Sequence, residues 1–184
     1  MFLDREPFML LTDLSEPSID GYSDEQFMRL ALAQAAAAAR QDEVPVGAVM
    51  VCNGRVVGSG FNQRESRQNP LCHAEIATID AAARQLGSWR LSDCTIYVTL
   101  EPCLMCVGAI LQARIGKLVF GCLDAKAGAV ESLYRLCEDR RLNHQLPVVG
   151  GVLASEAGSL LSEFFTRLRV RKRESKIGER WPSG

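Results

Sequence analysis

Residues 94–106 have the sequence CTIYVTLEPCLMC, in which a strand pattern passes directly into a helix pattern. Its first part, Cys94–Leu100, is rich in β-branched and aromatic residues and predicts a buried strand. Glu101 and Pro102 end that strand, and an apolar run then predicts a helix to near Arg114. A strand that passes directly into a helix is typical of a sheet with helices packed on its faces.

The segments on either side predict a mixed sheet that begins with a β-hairpin. Asn53-Gly54 lies between two β-branched runs, which is a strong hairpin signal. Ser23 and Gln26 match a capping box that opens a helix to about residue 40. The other predicted elements are a helix over 73–86 ended by Gly87, a strand from residue 117, a helix over 130–137, a strand over 147–153 and a helix from residue 155. Because crossovers are right-handed, the last three strands should be parallel, so we expect an α/β fold with three α/β/α layers around a central five-stranded mixed sheet.

Composition and charge place the sequence among soluble globular proteins. The 184 residues are 47% hydrophobic and 23% charged, and no apolar run reaches the roughly 18 residues of a membrane span. The chain shows no targeting signal, so we expect a cytoplasmic protein with reduced cysteines and no membrane association.

We expect a mobile acidic tail over residues 1–22, a domain over 23–174 that ends in a basic helix, and a flexible terminus over 175–184.

Cys103 and Cys106 have the spacing of a metal-binding pair. Three positions apart in the first turn of a helix, their sulfur atoms lie on one side. The helix dipole at that end stabilises thiolates, which are the ligand form of cysteine. No second Cys-x-x-Cys occurs in the chain, so the third ligand must come from elsewhere in the sequence. The other cysteines are interpreted as small core residues.

His73 is the candidate for the third ligand, because it opens the helix that follows the hairpin. Two helices that begin at one edge of a sheet can direct three ligands at one metal, and three ligands leave the open position of a catalytic zinc site. Glu75 would then lie beside the metal without binding it, where a carboxylate can transfer protons. Cys72 competes with His73 for the ligand role, although only His73 has a carboxylate two positions later.

Together these residues resemble the His-x-Glu and Pro-Cys-x-x-Cys signature of the zinc-dependent nucleoside and nucleobase deaminases. The stretches EVPVGAV (43–49), IYVTLEPCLMC (96–106) and FGCLDAKAGA (120–129) are similar to bacterial tRNA-specific adenosine deaminases. The resemblance covers about residues 24–172. It implies a cytidine deaminase-like fold, a homodimer with one zinc ion per subunit, and hydrolysis of the wobble adenosine of a tRNA anticodon to inosine.

The resemblance also implies substrate-binding roles for five residues. Asn62, in the motif GFN, would hold the flipped base, and Asp124 would contact the ribose and the RNA backbone. The terminal helix would grip the anticodon stem-loop through Phe165, Arg167 and Arg169. Considered alone, Asn62 and Asp124 are typical of turn and loop residues, and the basic run over 167–176 is typical of a solvated helix. Of the two neighbouring phenylalanines at 164 and 165, we expect one ring to face the core.

Three functions therefore remain open from the sequence. A tRNA adenosine deaminase is favoured by the resemblance and by the basic run, which suits a polyanion. A small-molecule deaminase of guanine, cytosine or a pterin-like ring would share the zinc chemistry, but it would not need a polyanion-binding helix. A non-enzymatic zinc module that binds RNA would need neither an open zinc position nor Glu75.

Overall fold

A mixed five-stranded sheet in the order β2-β1-β3-β4-β5 forms the centre of the protein. This computed structural model describes residues 22–180, with side chains over residues 22–174. The strands are β1 (Gly47–Cys52), β2 (Arg55–Phe61), β3 (Cys94–Leu100), β4 (Lys117–Cys122) and β5 (Val148–Val149). The helices are α1 (Asp24–Arg40), α2 (Arg64–Arg67), α3 (Ala74–Leu86), α4 (Leu104–Gln112) and α5 (Ala154–Arg180), and a 3-10 turn spans Leu136–Glu138.

The strand directions confirm the predicted fold class. Strand β1 pairs antiparallel with β2 in the hairpin and antiparallel with β3 on its other side. Strands β3, β4 and β5 are parallel to one another. The C-terminal ends of β3 and β4 therefore lie at the same edge of the sheet, and the loops that follow them can form one site.

Helices cover both faces of this sheet. On one face, α3 and α4 pack in the larger core, which includes Ala82, Ile110, Ile96 and Phe120. On the other face, α1 packs through Phe27 and Met28 against Val49, Tyr97 and Val119. Helix α5 shares that face, because it contacts α1 and β4. The three predicted layers are thus α3 and α4, the sheet, and α1 with α5.

The local signals in the sequence form the predicted turns and caps. Ser23 Oγ accepts a hydrogen bond from the backbone N–H of Gln26, and the Gln26 side chain accepts one from the backbone N–H of Ser23 at 2.8 Å. In the hairpin turn, Asn53 and Gly54 have φ angles of 49° and 72°, as a two-residue turn between twisted strands requires. Gly87 ends α3 with a φ of 63°.

The predicted helix over residues 130–137 is wrong. Only the 3-10 turn at its end is helical. The backbone N–H groups of Val130, Glu131 and Ser132 donate to the side chain of Glu101. Because that carboxylate holds the chain against the start of α4, residues 130–137 form an irregular loop.

The predicted strand over 147–153 is also shorter than expected. Strand β5 contains only Val148 and Val149. Beyond it, Gly151 has a φ of 86° and Leu153 a φ of 53°. These left-handed residues turn the chain away from the sheet edge and into α5.

The predicted terminal segments lie largely outside the described part of the chain. Residues 1–21, which are the predicted acidic tail apart from Tyr22, are not among the described residues, and neither are residues 181–184. The domain boundaries at 22 and 174 stay predictions, although α5 continues to Arg180. Within residues 22–180, every helix is too short or too polar to cross a membrane.

Candidate active site and metal centre

The first residues of α3 and α4 come together beside the end of β3. His73 is the N-cap residue of α3, and Cys103 is the N-cap residue of α4. Both have extended backbone, and neither side chain caps its own helix. The two side chains turn toward each other instead, and Cys106 in the first turn of α4 joins them. The two helix N-termini thus bring three metal-binding groups to one point.

The geometry of these three side chains fits a small tetrahedral cation. Nδ1 of His73 lies 3.8 Å from Sγ of Cys103 and 3.5 Å from Sγ of Cys106. The ligand atoms of all three residues lie within 4.8 Å of one another. A tetrahedral zinc ion, with bonds of about 2.3 Å to sulfur and about 2.0 Å to nitrogen, separates its nitrogen and sulfur ligands by about 3.5 Å. Among the described residues, Cys72 belongs to no such cluster.

The electrostatics of the cluster favour a thiolate at Cys103. Hydrogen bonds from Cys106 and from His73 lower the pKa of the Cys103 thiol to about 3. The hydrogen bond to Cys103 raises the pKa of His73. The contact with the Cys103 sulfur, together with burial, raises the pKa of the Cys106 thiol. A cation held here would favour the thiolate form of both cysteines, because a thiolate is the form that binds metals.

Glu75 lies in the first turn of α3, next to this cluster. Its side chain is 4% exposed, and burial raises the pKa of its carboxyl group. A raised pKa favours the protonated form of a carboxyl group, and carboxyl groups held beside a reacting centre act as general acids and bases. Glu75 is therefore suited to acid–base chemistry beside the three metal-binding groups.

A cavity of ≈ 210 Å³ lies beside the three metal-binding groups. His73, Cys103 and Glu75 contribute to its wall, together with Asn62 and Asp124. Five residues predicted to act on a substrate or a metal therefore line the same space. Further lining residues without a predicted role include Arg64 and Glu101.

A second buried carboxylate holds the Asn62 side of the cavity. Glu43 is 0% exposed, and its Oε2 atom accepts a hydrogen bond of 3.1 Å from Nδ2 of Asn62. The same side chain accepts hydrogen bonds from the backbone N–H groups of Glu65 and Ser66 in α2. Glu43 thus connects Asn62, at the end of β2, to the first turn of α2.

A third buried carboxylate, Glu101, holds the Asp124 side. It accepts hydrogen bonds from the backbone N–H groups of residues 124, 130, 131 and 132 and from the Ser132 hydroxyl. Burial opposes ionisation of Glu101, but these donors outweigh it and lower its pKa to about 2. Asp124 Oδ1 accepts the backbone N–H groups of Lys126 and Ala127, so one of its oxygens shapes the loop that carries it.

The residues predicted from the terminal helix lie on α5 and do not line this cavity. Phe165 is 41% exposed, whereas Phe164 is 3% exposed, so one ring of the pair faces the core as expected. Arg167 and Arg169 are both exposed. Arg167 lines a separate groove of ≈ 410 Å³ between α5 and the end of α1.

Sequence reasoning gave no role to Glu43 or Glu101. Both stand in stretches quoted for the resemblance, EVPVGAV and LEPC. Glu101 is an isolated acidic residue between Leu100 and Pro102, at the junction of a strand and a helix, whereas Glu43 follows Asp42 and has an apolar neighbour only on its C-terminal side. Burying such a residue is costly unless it is hydrogen-bonded, so each position predicts a cluster of donors.

Comparison with known proteins points to deaminases. The family model of the MafB19-like deaminases matches residues 22–169. The tRNA-specific adenosine deaminase of Bacillus subtilis is 46% identical over 153 residues, which cover 83% of this chain and 95% of that protein. The tRNA-specific adenosine deaminase of Haemophilus influenzae is 45% identical over 154 residues, which cover 83% of this chain and 89% of that protein.

One solved structure with a similar fold comes from studies of A-to-I editing by tRNA:A34 deaminases at the wobble position of transfer RNA. It matches with a TM-score of 0.71 and 44% sequence identity. The match covers 74% of this chain and 99% of that one. The family-model match over residues 22–169 includes every strand of the sheet and the candidate site.

Proposed function

This chain belongs to the tRNA-specific adenosine deaminases of the MafB19-like deaminase family, and from that premise we propose that it converts the wobble adenosine of a tRNA anticodon to inosine. The reaction consumes one water and releases ammonia from C6 of the base. The observation that carries the proposal is that the His73–Cys103–Cys106 cluster, the buried Glu75 and Asn62 meet at one cavity.

Zinc is the metal that this cluster suits best. A nitrogen and two sulfur donors at tetrahedral spacing favour Zn²⁺ over Mg²⁺ or Ca²⁺, which prefer oxygen ligands. His73, Cys103 and Cys106 would hold one ion in each subunit. Bound there, zinc would supply a Lewis acid that activates water for attack at C6 of adenine.

Glu75 carries out the proton transfers in this proposal. Its carboxylate accepts a proton from the attacking water and delivers a proton to the exocyclic nitrogen, which leaves as ammonia. Burial raises the pKa of its carboxyl group, which favours the protonated form that donates to the leaving nitrogen. Because Glu75 is not needed as a ligand, its carboxyl group is available for both proton transfers.

The size and surroundings of the cavity support a flipped base as the group that enters. A volume of ≈ 210 Å³ is below the roughly 300–1,000 Å³ of pockets for larger ligands. A single base fits that scale, and the rest of the RNA would stay outside. Asn62 would hold the base, Asp124 the ribose and backbone, and Phe165, Arg167 and Arg169 on α5 the anticodon stem-loop. Unpaired loop bases are the ones that can be extruded at low cost.

We also propose that the protein acts in the cytoplasm, because its substrate is tRNA. We propose further that it forms a homodimer. Support comes from large apolar side chains that are about half exposed on α4 and on the loop after β4: Leu104, Leu123, Leu133 and Tyr134. Exposed apolar side chains mark a protein–protein contact surface where they form one contiguous patch. Light scattering of the purified protein should give twice the mass of one chain.

The function is tested by incubating the purified protein with total tRNA and scoring adenosine-to-inosine change by sequencing. Inosine should form at the first anticodon position, with Glu75→Gln as the inactive control. Free adenosine, guanine and cytosine should be far poorer substrates. Equal efficiency on a free base, with none on tRNA, would establish the small-molecule alternative instead.

A further inference from the structure

The carboxylate of Glu43 makes three hydrogen bonds, and each of its partners is a donor. Oε2 accepts Nδ2 of Asn62 and the backbone N–H of Glu65, both at 3.1 Å. Oε1 accepts the backbone N–H of Ser66 at 2.6 Å. Two of these donors are backbone N–H groups, which can only donate a hydrogen bond. The carboxylate therefore accepts from both of them, and it accepts from the Asn62 amide as well.

This arrangement sets the orientation of the Asn62 amide. An asparagine side chain can present either its oxygen or its NH₂ group to a neighbour. With an acceptor on one side, Nδ2 of Asn62 must face Glu43. The Asn62 backbone is fixed as well, since its N–H donates to the carbonyl oxygen of Val46 at 3.0 Å. Oδ1 and the second hydrogen of Nδ2 are left for other partners on the cavity side.

The same carboxylate holds α2 at the cavity. Its two backbone partners lie in the first turn of α2, directly after Arg64, which lines the cavity. Glu43 itself contributes no surface to the cavity wall. It would therefore act on a substrate only through Asn62 and α2.

We propose that Glu43 is a positioning residue for base recognition, which fixes the end of the Asn62 amide that meets the base. The inference rests on the proposed function, in which Asn62 holds the flipped adenine. Adenine offers both acceptor nitrogens and an amino donor. If the Asn62 amide were reversed, its NH₂ group would face the amino group of adenine, or its oxygen would face a ring nitrogen. Neither pair can form a hydrogen bond.

A double-mutant cycle tests whether Glu43 acts through Asn62. Glu43→Gln keeps the size of the side chain but replaces one acceptor by a donor, so one N–H group loses its partner. In the otherwise wild-type chain, kcat/KM on tRNA should fall about 10- to 100-fold, the scale expected for a hydrogen bond to a charged group. In the Asn62→Ala background, the same change should cost less than about threefold. Bound zinc per chain should stay at the wild-type value in all four proteins.

Glu25→Gln is the matched control, because it makes the same chemical change on an exposed side chain of α1 that does not line the cavity. It should alter kcat/KM by less than about twofold in either background. An equal loss from Glu43→Gln with and without Asn62 would overturn the inference. Inosine formation by the wild-type chain tests the proposed function separately.

A stability cycle covers the case in which Glu43→Gln does not fold. Asn62→Asp would set two carboxylates against each other across the 3.1 Å contact and should lower the melting temperature. Adding Glu43→Gln to Asn62→Asp supplies an amide donor again and should recover most of that loss. A double variant that melts no higher than Asn62→Asp would overturn the inference, even if the wild-type chain edits tRNA.

Discussion

Gly128 lies so close to the carboxylate of Glu101 that a β-carbon at residue 128 would overlap it. Gly128 also pairs with Cys103 in an isolated antiparallel bridge. The loop over residues 124–132 is therefore held against the start of α4, where a proposed metal ligand lies. Residue 128 is a glycine because its backbone lies against the Glu101 carboxylate, which leaves no room for a side chain.

Gly128→Ala should lower both stability and activity. The added methyl group must displace the Glu101 carboxylate from its hydrogen bonds with the loop, and overpacking of this kind costs about 1–3 kcal/mol of unfolding free energy. Chemical denaturation should show that loss, and kcat/KM on tRNA should fall because Asp124 moves with the loop.

Gly108→Ala provides the control for that substitution. Gly108 lies within α4, and apart from its chain neighbours and the nearby backbone of its own helix a β-carbon there would meet no atom within 4 Å. Alanine is the better helix former by up to about 1 kcal/mol, so this variant should be as stable as the wild type or more so. The role given to Glu101 would be wrong if Gly128→Ala and Gly108→Ala unfolded at the same denaturant concentration.

The zinc content of two cysteine variants should show which cysteine is a metal ligand. The wild-type protein should hold about one zinc ion per chain, and Cys103→Ala should lose it, because two remaining ligands bind zinc weakly. Cys72→Ala should keep it, since Cys72 is outside the cluster. Metal analysis by mass spectrometry measures both. Full zinc in Cys103→Ala, or loss of zinc in Cys72→Ala, would contradict the ligand set.

Glu75→Gln should abolish most turnover while the metal and the substrate still bind. The amide retains the size of the side chain but cannot accept and release a proton, and positioned acid–base groups contribute about 10²- to 10⁴-fold to rate. Zinc content and tRNA affinity should remain near wild type. Asp80→Asn, on an exposed position of the same helix, should leave kcat unchanged. A kcat for Glu75→Gln within about tenfold of wild type would exclude the proton-transfer role.

Arg167→Ala with Arg169→Ala tests the RNA contact of α5. Each lost phosphate contact should flatten the dependence of log affinity on log salt by about one. Zinc content and the turnover of saturated enzyme should not change, because neither arginine lines the cavity.

Arg84→Ala removes an exposed arginine from α3 and serves as the control. Point substitutions are preferable to removal of the end of α5, since truncation before residue 164 would also delete the buried ring of Phe164. An unchanged salt slope would show that α5 does not grip RNA through these two residues.

The local pattern of the sequence was enough to identify the groups that can do chemistry. Cys103 and Cys106 lie in one turn of a helix, and His73 and Glu75 lie at the start of another, so their relative positions follow from the helical period alone. The caps at Ser23 and Gly87 and the hairpin turn are local in the same sense. Each cap or turn involves two to five consecutive residues, and the side chains of those residues determine its backbone conformation.

Tertiary structure decided which of these groups meet, and what holds them. The choice of His73 over Cys72 depends on the approach of α3 to α4, which no local spacing encodes. Glu43 reaches Asn62 across 19 positions, and Glu101 reaches Ser132 across 31. The latter contact also explains why residues 130–137 are not helical, although their sequence favours a helix. A buried carboxylate needs several donors at once, and it takes the N–H groups that the packed strands and loops bring to it, whatever their place in the sequence.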